Sequence, residues 1–566
     1  MFFKFLKTKF LSLNNLVLLF SFLALSYALF GLFQGEFFDS HDSVFHLTRV
    51  VEFNKTIKSG QFPVRWAPDL VNGLGIPVFN YFYPLFYYLT VPLVLLGVSA
   101  AAACKIILVL AYFFGFLFAW KFLYHYFRSI PSLIGAFLYV FAPYMFLDLY
   151  VRGNFAEFLA LMMVPAIFWA GDNIIRGQKR ILSILILAFF ILSHNIIVML
   201  AVVWLFLFIF ANLIYDFFRI NGKEEKIDFI KNNSKRIFIF VALALGLAAF
   251  FWLPALSEIS LTHLADEKVY SWADHFPTIR QLIYSSWDYG HSLSGPGDYM
   301  SFQIGPMHLL LVVGSVLAFI FSFWQKRKLT KKEFLYLFFF FSFIGLVFLM
   351  NSRSAFIWRY ISVLSRAQFP WRLLGFALFA VIFLAAFFLE KIFRYLKNKK
   401  SAKIIVVIAI YFLVFRSYYD YLKPKIYISV EKALSSDHAK GTTATSNELL
   451  PIWVPKEKPR KISLEKTINC QLFQCQTETN FKEENDVVFR KFYFPGWYGF
   501  IDNQAIALHP QDKTGLIKIT VPAGQHNILL KLQQTKIEKL ANLISLISLM
   551  ILLILRFKYY RHEKNP

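Results

Sequence analysis

Long apolar stretches alternate with short polar ones along the whole chain. Runs close to the ~20 residues that a bilayer crossing requires occur at about 11–33, 103–120, 132–147, 155–171, 181–192, 196–215, 237–256, 303–324, 333–350, 370–389, 404–419 and 540–555. The pattern predicts a mostly α, polytopic transmembrane protein of roughly twelve spans. A further run, Pro84 to Gly97, contains two prolines and has the short length of a re-entrant or interfacial segment, so it is expected not to cross. Between 485 and 535 the period changes. DVVFRKFYFPGWYGFIDN and LIKITVPAGQHNILLKL alternate apolar and polar residues around turn signals, which predicts a small β-domain before the last span.

Charge sets the expected sidedness. The net charge of +25 could suggest nucleic acid, but the basic residues fall in short clusters between the apolar runs, where the positive-inside rule places cytoplasmic loops. These clusters are Lys4/Lys7/Lys9, Lys121/Arg128, Arg176/Lys179/Arg180, Arg219 to Arg236, Lys326 to Lys332, Lys391 to Lys403 and the tail from Arg556. If Pro84 to Gly97 stays on one side, all of them share one face of the membrane and both termini are cytoplasmic. No nucleic-acid partner is expected. The organisation expected is a transmembrane domain at 1–419 with an outward first loop at 34–102, an extracytoplasmic domain at 420–539, and a last helix with a basic tail at 540–566. The first apolar run is long enough to span and is followed by no small-residue cleavage site, so it reads as an uncleaved helix. Among three cysteines, Cys104 lies in an apolar run, and only Cys470 and Cys475 could pair.

The unusual polar chemistry then faces outward. On a helix beginning near Ser40, Asp42, His46 and Arg49 would share one face, joining a candidate general base to a phosphate-holding guanidinium. An amphipathic interfacial helix gives the same spacing. Arg65-Trp66 and the run Asn72-Gly73-Leu74-Gly75 suit either a loop whose backbone approaches a ligand, with Trp66 at headgroup depth, or an aromatic-belt residue beside turn glycines. Asp148, Arg152 and Glu157 mark the next outward turn. Beside Asp42 they make convergent carboxylates that could share a divalent cation such as magnesium or manganese, or divide base and positioning roles. His194 interrupts an apolar stretch at the outer boundary. Arg359, Arg366 and Arg372 run against the positive-inside trend, and either a bound lipid phosphate or simple headgroup anchoring accounts for them. No P-loop, dinucleotide fingerprint, H-E-x-x-H or G-x-S-x-G is present.

HDSVFHLTRVVEF, GQFPVRWAPDLVNGLGIPVFNYFYPLFYYL, YVRGNFAEFLALMMVPA, SHN and RAQFPWRLLG resemble the bacterial membrane proteins grouped as 6-pyruvoyl-tetrahydropterin synthase related. These and the YfhO-like proteins resemble the GT-C superfamily of membrane glycosyltransferases, and FYFPGWYGFIDN with VPAGQHNILL is similar to the YfhO-like C-terminal β-domain. The resemblance implies a catalytic aspartate in the first outward loop, a second acidic residue in the next, and a sugar donor carried on polyprenyl phosphate. Asp42 matches the first position, with Asp39 as the fallback, and Glu157 or Asp148 matches the second. Neither loop contains a D-x-D pair. The function expected is transfer of a sugar from a polyprenyl-phosphate donor to an extracytoplasmic acceptor at the lipid bilayer. A transporter or flippase of lipid-linked glycans and a non-catalytic envelope scaffold are the alternatives.

Overall fold

The computed structural model describes residues 12–265, 272–293, 297–326, 329–436, 441, 447–456 and 467–564. Lys4, Lys7, Lys9 and positions 327 and 328 of the expected basic clusters lie outside them. By packing the chain forms two units, one of residues 1–43, 105–244 and 270–429, the other of 44–104, 245–269 and 430–566.

Nine described helices are long and apolar enough to cross a membrane, and two bent pairs, Ser129–Val140 with Pro143–Arg152 and Lys223–Leu247 with Ala249–Ser257, bring the number to eleven. In the first unit, Phe155–Ile175 and Pro370–Tyr395 form the centre. Their apolar windows are 100% and 94% buried, against 28% for Pro306–Gln325, Lys331–Leu349 and Lys400–Tyr421. The outer helices keep apolar side chains such as Leu18, Leu19, Phe22 and Leu23 exposed, a surface that suits lipid.

The expected span at 181–192 is a shorter helix, Arg180–Ile191. His194, just beyond its end, places Nε2 3.8 Å from Oε2 of Glu157, in the first turn of Phe155–Ile175. The short helix therefore returns the chain to the end from which the longer one started, although its 12 residues are fewer than a straight crossing needs.

Polar contacts collect at the two ends of this bundle. At one end, Asp172 accepts from Nδ1 of His125 at 2.5 Å and from Nε of Arg176 at 2.7 Å, Lys331 pairs with Asp216 at 2.6 Å, and Lys332 pairs with Glu390 at 2.7 Å. These helix ends carry the basic clusters. Glu157 lies about 22 Å further along its helix, at the opposite end.

The second unit holds the helix Ser43–Lys58, the short apolar helix Leu85–Leu95 and the last helix Lys536–Lys564. Leu85–Leu95 has 11 residues, well short of a span. The unit also carries two four-stranded sheets. One has the order β4(Gln474–Phe481), β10(Gly524–Leu532), β6(Trp497–Ile501), β7(Gln504–Ile506), and the other β3(Thr467–Ile468), β5(Asn485–Phe492), β9(Leu516–Val521), β8(His509–Pro510). Buried Val487, Phe489, Ile517 and Ile519 come from one sheet, and Trp497, Ile528 and Leu530 from the other. The β-region starts before 485 because β4, QCQTETNF, pairs with eight residues of β10 although it has almost no apolar alternation. Cys470 and Cys475 form a disulfide at the start of β4, and Cys104 is a buried free thiol.

Candidate functional site

The site in the first unit grows from a wide π-helical turn, Leu147–Arg152, which closes on Gly153 with φ +61°. Such turns occur mostly as single departures from α-helix, frequently at functional positions. Gly153 is required twice over. Its φ is left-handed, and a Cβ would lie 1.9 Å from Oγ of Ser40, so only glycine lets the segment 40–42 pass this close. The approach is fixed by two main-chain hydrogen bonds, His41 N–H to the Val151 carbonyl at 3.1 Å and Asp42 N–H to the Arg152 carbonyl at 2.8 Å.

Asn154 then caps the Phe155–Ile175 helix, its side-chain oxygen accepting from the N–H of Glu157 at 3.1 Å. Glu157 is thereby held in the first turn, where a carboxylate is favoured by the helix dipole. It is fully buried and richly partnered. Arg152 Nη1 stands 2.7 Å from Oε1, Arg372 Nε donates to Oε2 at 3.1 Å, and the Tyr144 hydroxyl donates to Oε1 at 3.2 Å. Arg152 Nη1 also reaches Oδ1 of Asp148 at 2.5 Å, and its guanidinium lies 4.8 Å from the centre of the Trp371 ring. Arg372 is fixed in turn by the Ala367 carbonyl at 2.8 Å and the Gln368 side chain at 2.7 Å. Two carboxyl groups thus meet two guanidiniums, so charge buried in the cluster finds its partner within it. Oδ2 of Asp148 is buried and has no hydrogen bond among the described residues.

Beside this cluster His41 stacks on His291, ring centres 4.0 Å apart, and its Nε2–H tautomer donates to the Tyr289 carbonyl at 3.3 Å. Burial, then the neighbouring His291 and Arg152, hold the His41 imidazole down at about 4, outweighing the hydrogen bond to Tyr289. The ring is neutral at ordinary pH.

The sequence candidates divide between the two units. Asp42, Arg152, Glu157, His194 and Arg372 come together in the first. Asp39 is exposed on a short strand, Phe37–Asp39, paired with Ile426–Ile428, and Arg359 and Arg366 are exposed. His46, Arg49, Arg65 and Trp66 belong to the second unit. The expected helix from Ser40 begins instead at Ser43, so Asp42 precedes it and does not share a helical face with His46 and Arg49. Nδ1 of His46 stands 3.0 Å from the Tyr87 hydroxyl, and Arg49 packs over Phe45 while donating to the Gly441 carbonyl at 3.0 Å. Trp66 is buried within the protein, and Gly75, with φ +76°, approaches that ring. A Cβ there would be 2.5 Å from Trp66 Nε1. The glycine loop therefore closes on the protein's own tryptophan. Arg152 stands between Asp148 and Glu157, and among the described residues no three His, Cys, Asp or Glu side chains are grouped as metal ligands. Tyr144, Trp371, His41 and His291 were not foreseen. His41 adjoins Asp42 in sequence and Trp371 adjoins Arg372, but nothing in an apolar run distinguishes Tyr144 from a packing residue.

The family described as 6-pyruvoyl-tetrahydropterin synthase related domain, a membrane protein family, matches residues 79–422, more than half of the chain. The chain belongs to this family. The stretch shared with the 6-pyruvoyl-tetrahydropterin synthase related family includes Asp148, Arg152, Glu157, His194 and Arg372, whereas Asp39 and Asp42 precede it. An uncharacterized protein of Lactococcus lactis subsp. cremoris (strain MG1363) is 25% identical over 244 residues, covering 41% of this chain and 38% of the relative. The chain thus spans well under half the length of that relative.

Proposed function

We propose that this multi-pass membrane protein is a GT-C-type, inverting glycosyltransferase that moves a sugar from a polyprenyl-phosphate donor to an acceptor on the outer face. The observation that carries the reading is the attachment of Asp42, through its main-chain hydrogen bond to Arg152, to the rim of the buried Asp148–Arg152–Glu157–Arg372 cluster. Asp42 is half-buried at this rim.

In this reading the Asp42 carboxylate takes the proton from the acceptor hydroxyl as that oxygen attacks the anomeric carbon. The bond from that carbon to the phosphate oxygen breaks, and the polyprenyl phosphate leaves with the electron pair. Arg152 and Arg372 are already committed to carboxylates, so they position the rim. The exposed Arg359 and Arg366 are the guanidiniums that remain for the lipid phosphate. Glu157 is the second acidic residue, acting through Arg152 to fix the turn on which Asp42 rests. Basic clusters at the opposite helix ends support an outward orientation for this site. Incubation of purified protein with radiolabelled polyprenyl-phosphate sugars tests the reading. It predicts label moving from the lipid to a water-soluble or envelope acceptor, and a complete lack of transfer with every such donor would reject it.

A further inference from the structure

The second unit contains a cavity of about 520 Å³, within the ~300–1,000 Å³ range of small-molecule sites. Its lining differs from the mainly apolar lining of most such sites. Gln61, Gln471, Gln474, Gln533 and Gln534 all contribute. An amide both donates and accepts, and so does a hydroxyl, so a wall of amides matches a ligand that carries many hydroxyls. The aromatic rings of Phe473 and Phe494 complete the wall, offering apolar surface to the C–H face of a sugar ring.

The floor decides the charge of the ligand. Arg65 is 7% exposed and is held by Asn80 Oδ1 at 2.7 Å and the Phe250 carbonyl at 2.8 Å. Its Nε stands 3.3 Å from Glu538, and Asn80 in turn donates to Glu258 at 2.6 Å. On the buried floor the Arg65 guanidinium is matched by the Glu538 carboxylate, and the other cation of the lining, Lys531, is exposed to solvent, where its charge is screened. Nε of Arg65, although 3.3 Å from Oε1 of Glu538, makes no hydrogen bond among the described residues, so its N–H can turn to a ligand oxygen. Gln61 is set by the same loop. Its side-chain oxygen accepts from the N–H of Arg65 at 2.8 Å and of Trp66 at 3.0 Å, which leaves its NH₂ for the cavity. Glu538 lies in the first turn of the last apolar helix, so the cavity sits where that helix meets the β-region.

We infer that this cavity is a binding site for a neutral saccharide, held by the glutamine amides, the Arg65 Nε–H and the aromatic wall. The inference does not require catalysis, because binding is read without turnover. Saturation-transfer NMR on the full chain in nanodiscs tests it with neutral trisaccharides (maltotriose, chitotriose), an acidic one (trigalacturonate) and a soluble phospholipid headgroup, glycerophosphoglycerol. Transfer to at least one neutral trisaccharide is expected, with none to the two anions. Gln474→Trp, which fills the cavity from an exposed strand position, should lower affinity at least tenfold, and the exposed Gln533→Ala should lower it severalfold without changing the melting temperature. Absence of transfer to both neutral probes, preference for either anion, or binding unaffected by both variants would overturn the assignment. A preference for the headgroup would mark a lipid site instead. Repeating the measurement with a neutral sugar on a lipid carrier separates a free glycan from a lipid-linked one, since only the latter gains affinity from the bilayer.

Discussion

The main-chain N–H of Asp42 donates to the carbonyl of Arg152 at 2.8 Å, while the guanidinium of the same Arg152 holds Asp148 and Glu157. One residue thereby ties the segment 40–42 to the buried carboxyl groups of Asp148 and Glu157. Loss of either contact should be felt at the other.

Arg152→Ala would leave Asp148 and Glu157 buried with half their compensating charge, so it should destabilise the protein by about 3–5 kcal/mol. Arg152→Ala combined with Glu157→Gln should recover part of that loss, because a neutral amide tolerates burial better than an unpaired carboxylate. Thermal unfolding in detergent measures both. A single variant as stable as the parent would mean that Arg152 does not compensate buried charge in the cluster.

Gly153→Ala should cost about 1–3 kcal/mol from its left-handed backbone alone, with a further loss from overlap with Ser40. Adding Ser40→Gly relieves the overlap and leaves the backbone cost, so the double variant should fall between the parent and Gly153→Ala. Limited proteolysis of the first loop is a second readout, with faster cleavage expected in Gly153→Ala.

Glu52 gives a pH signature in the second unit. It is buried beside Asp69, with Lys55 and Lys491 also close, and burial followed by the Asp69 charge raises its carboxyl from 4.5 to about 7. A carboxyl raised on folding contributes its full stability below 4.5 and loses it as pH rises through about 7, a loss of about 3 kcal/mol. Lys491 works in the opposite sense. Burial lowers it to about 8, so its cost appears as pH falls through that value. Glu52→Gln removes the first effect only. Its melting temperature relative to the parent should rise between pH 4.5 and 7 and then level off.

Sidedness can be tested by cysteine labelling, since Cys104 is buried and Cys470 is bonded to Cys475. Ser59→Cys should react with an impermeant maleimide in intact cells, and Ser401→Cys should react only after lysis. Labelling of position 401 from outside would invert the topology.

Hydrophobic runs made the helical membrane class legible, because crossing a bilayer imposes length and composition together. Arg180–Ile191 shows the limit of that signal, since the apolar run read there as a span forms a helix of only 12 residues. The main-chain approach of Asp42 to Arg152 lies between two segments that the sequence pattern sets at the same ends of their apolar runs. What escaped was the division of labour among arginines. Spacing cannot distinguish Arg372, spent on Glu157, from the exposed Arg366, nor can it show that Arg65 faces a cavity in another unit. β4 was missed for the complementary reason. Its pairing is main-chain hydrogen bonding, which leaves little trace in polarity.

The most direct measurement is transfer of label from a polyprenyl-phosphate sugar by Asp42→Asn beside Asp39→Asn and the parent. The amide keeps the shape of the carboxylate and cannot accept a proton, so Asp42→Asn should lose ~10²-fold or more in rate while folding and donor binding stay near the parent's. Asp39→Asn, on an exposed strand, should lose much less. Near-parental transfer by Asp42→Asn, or no transfer by the parent with any such donor, would contradict the account.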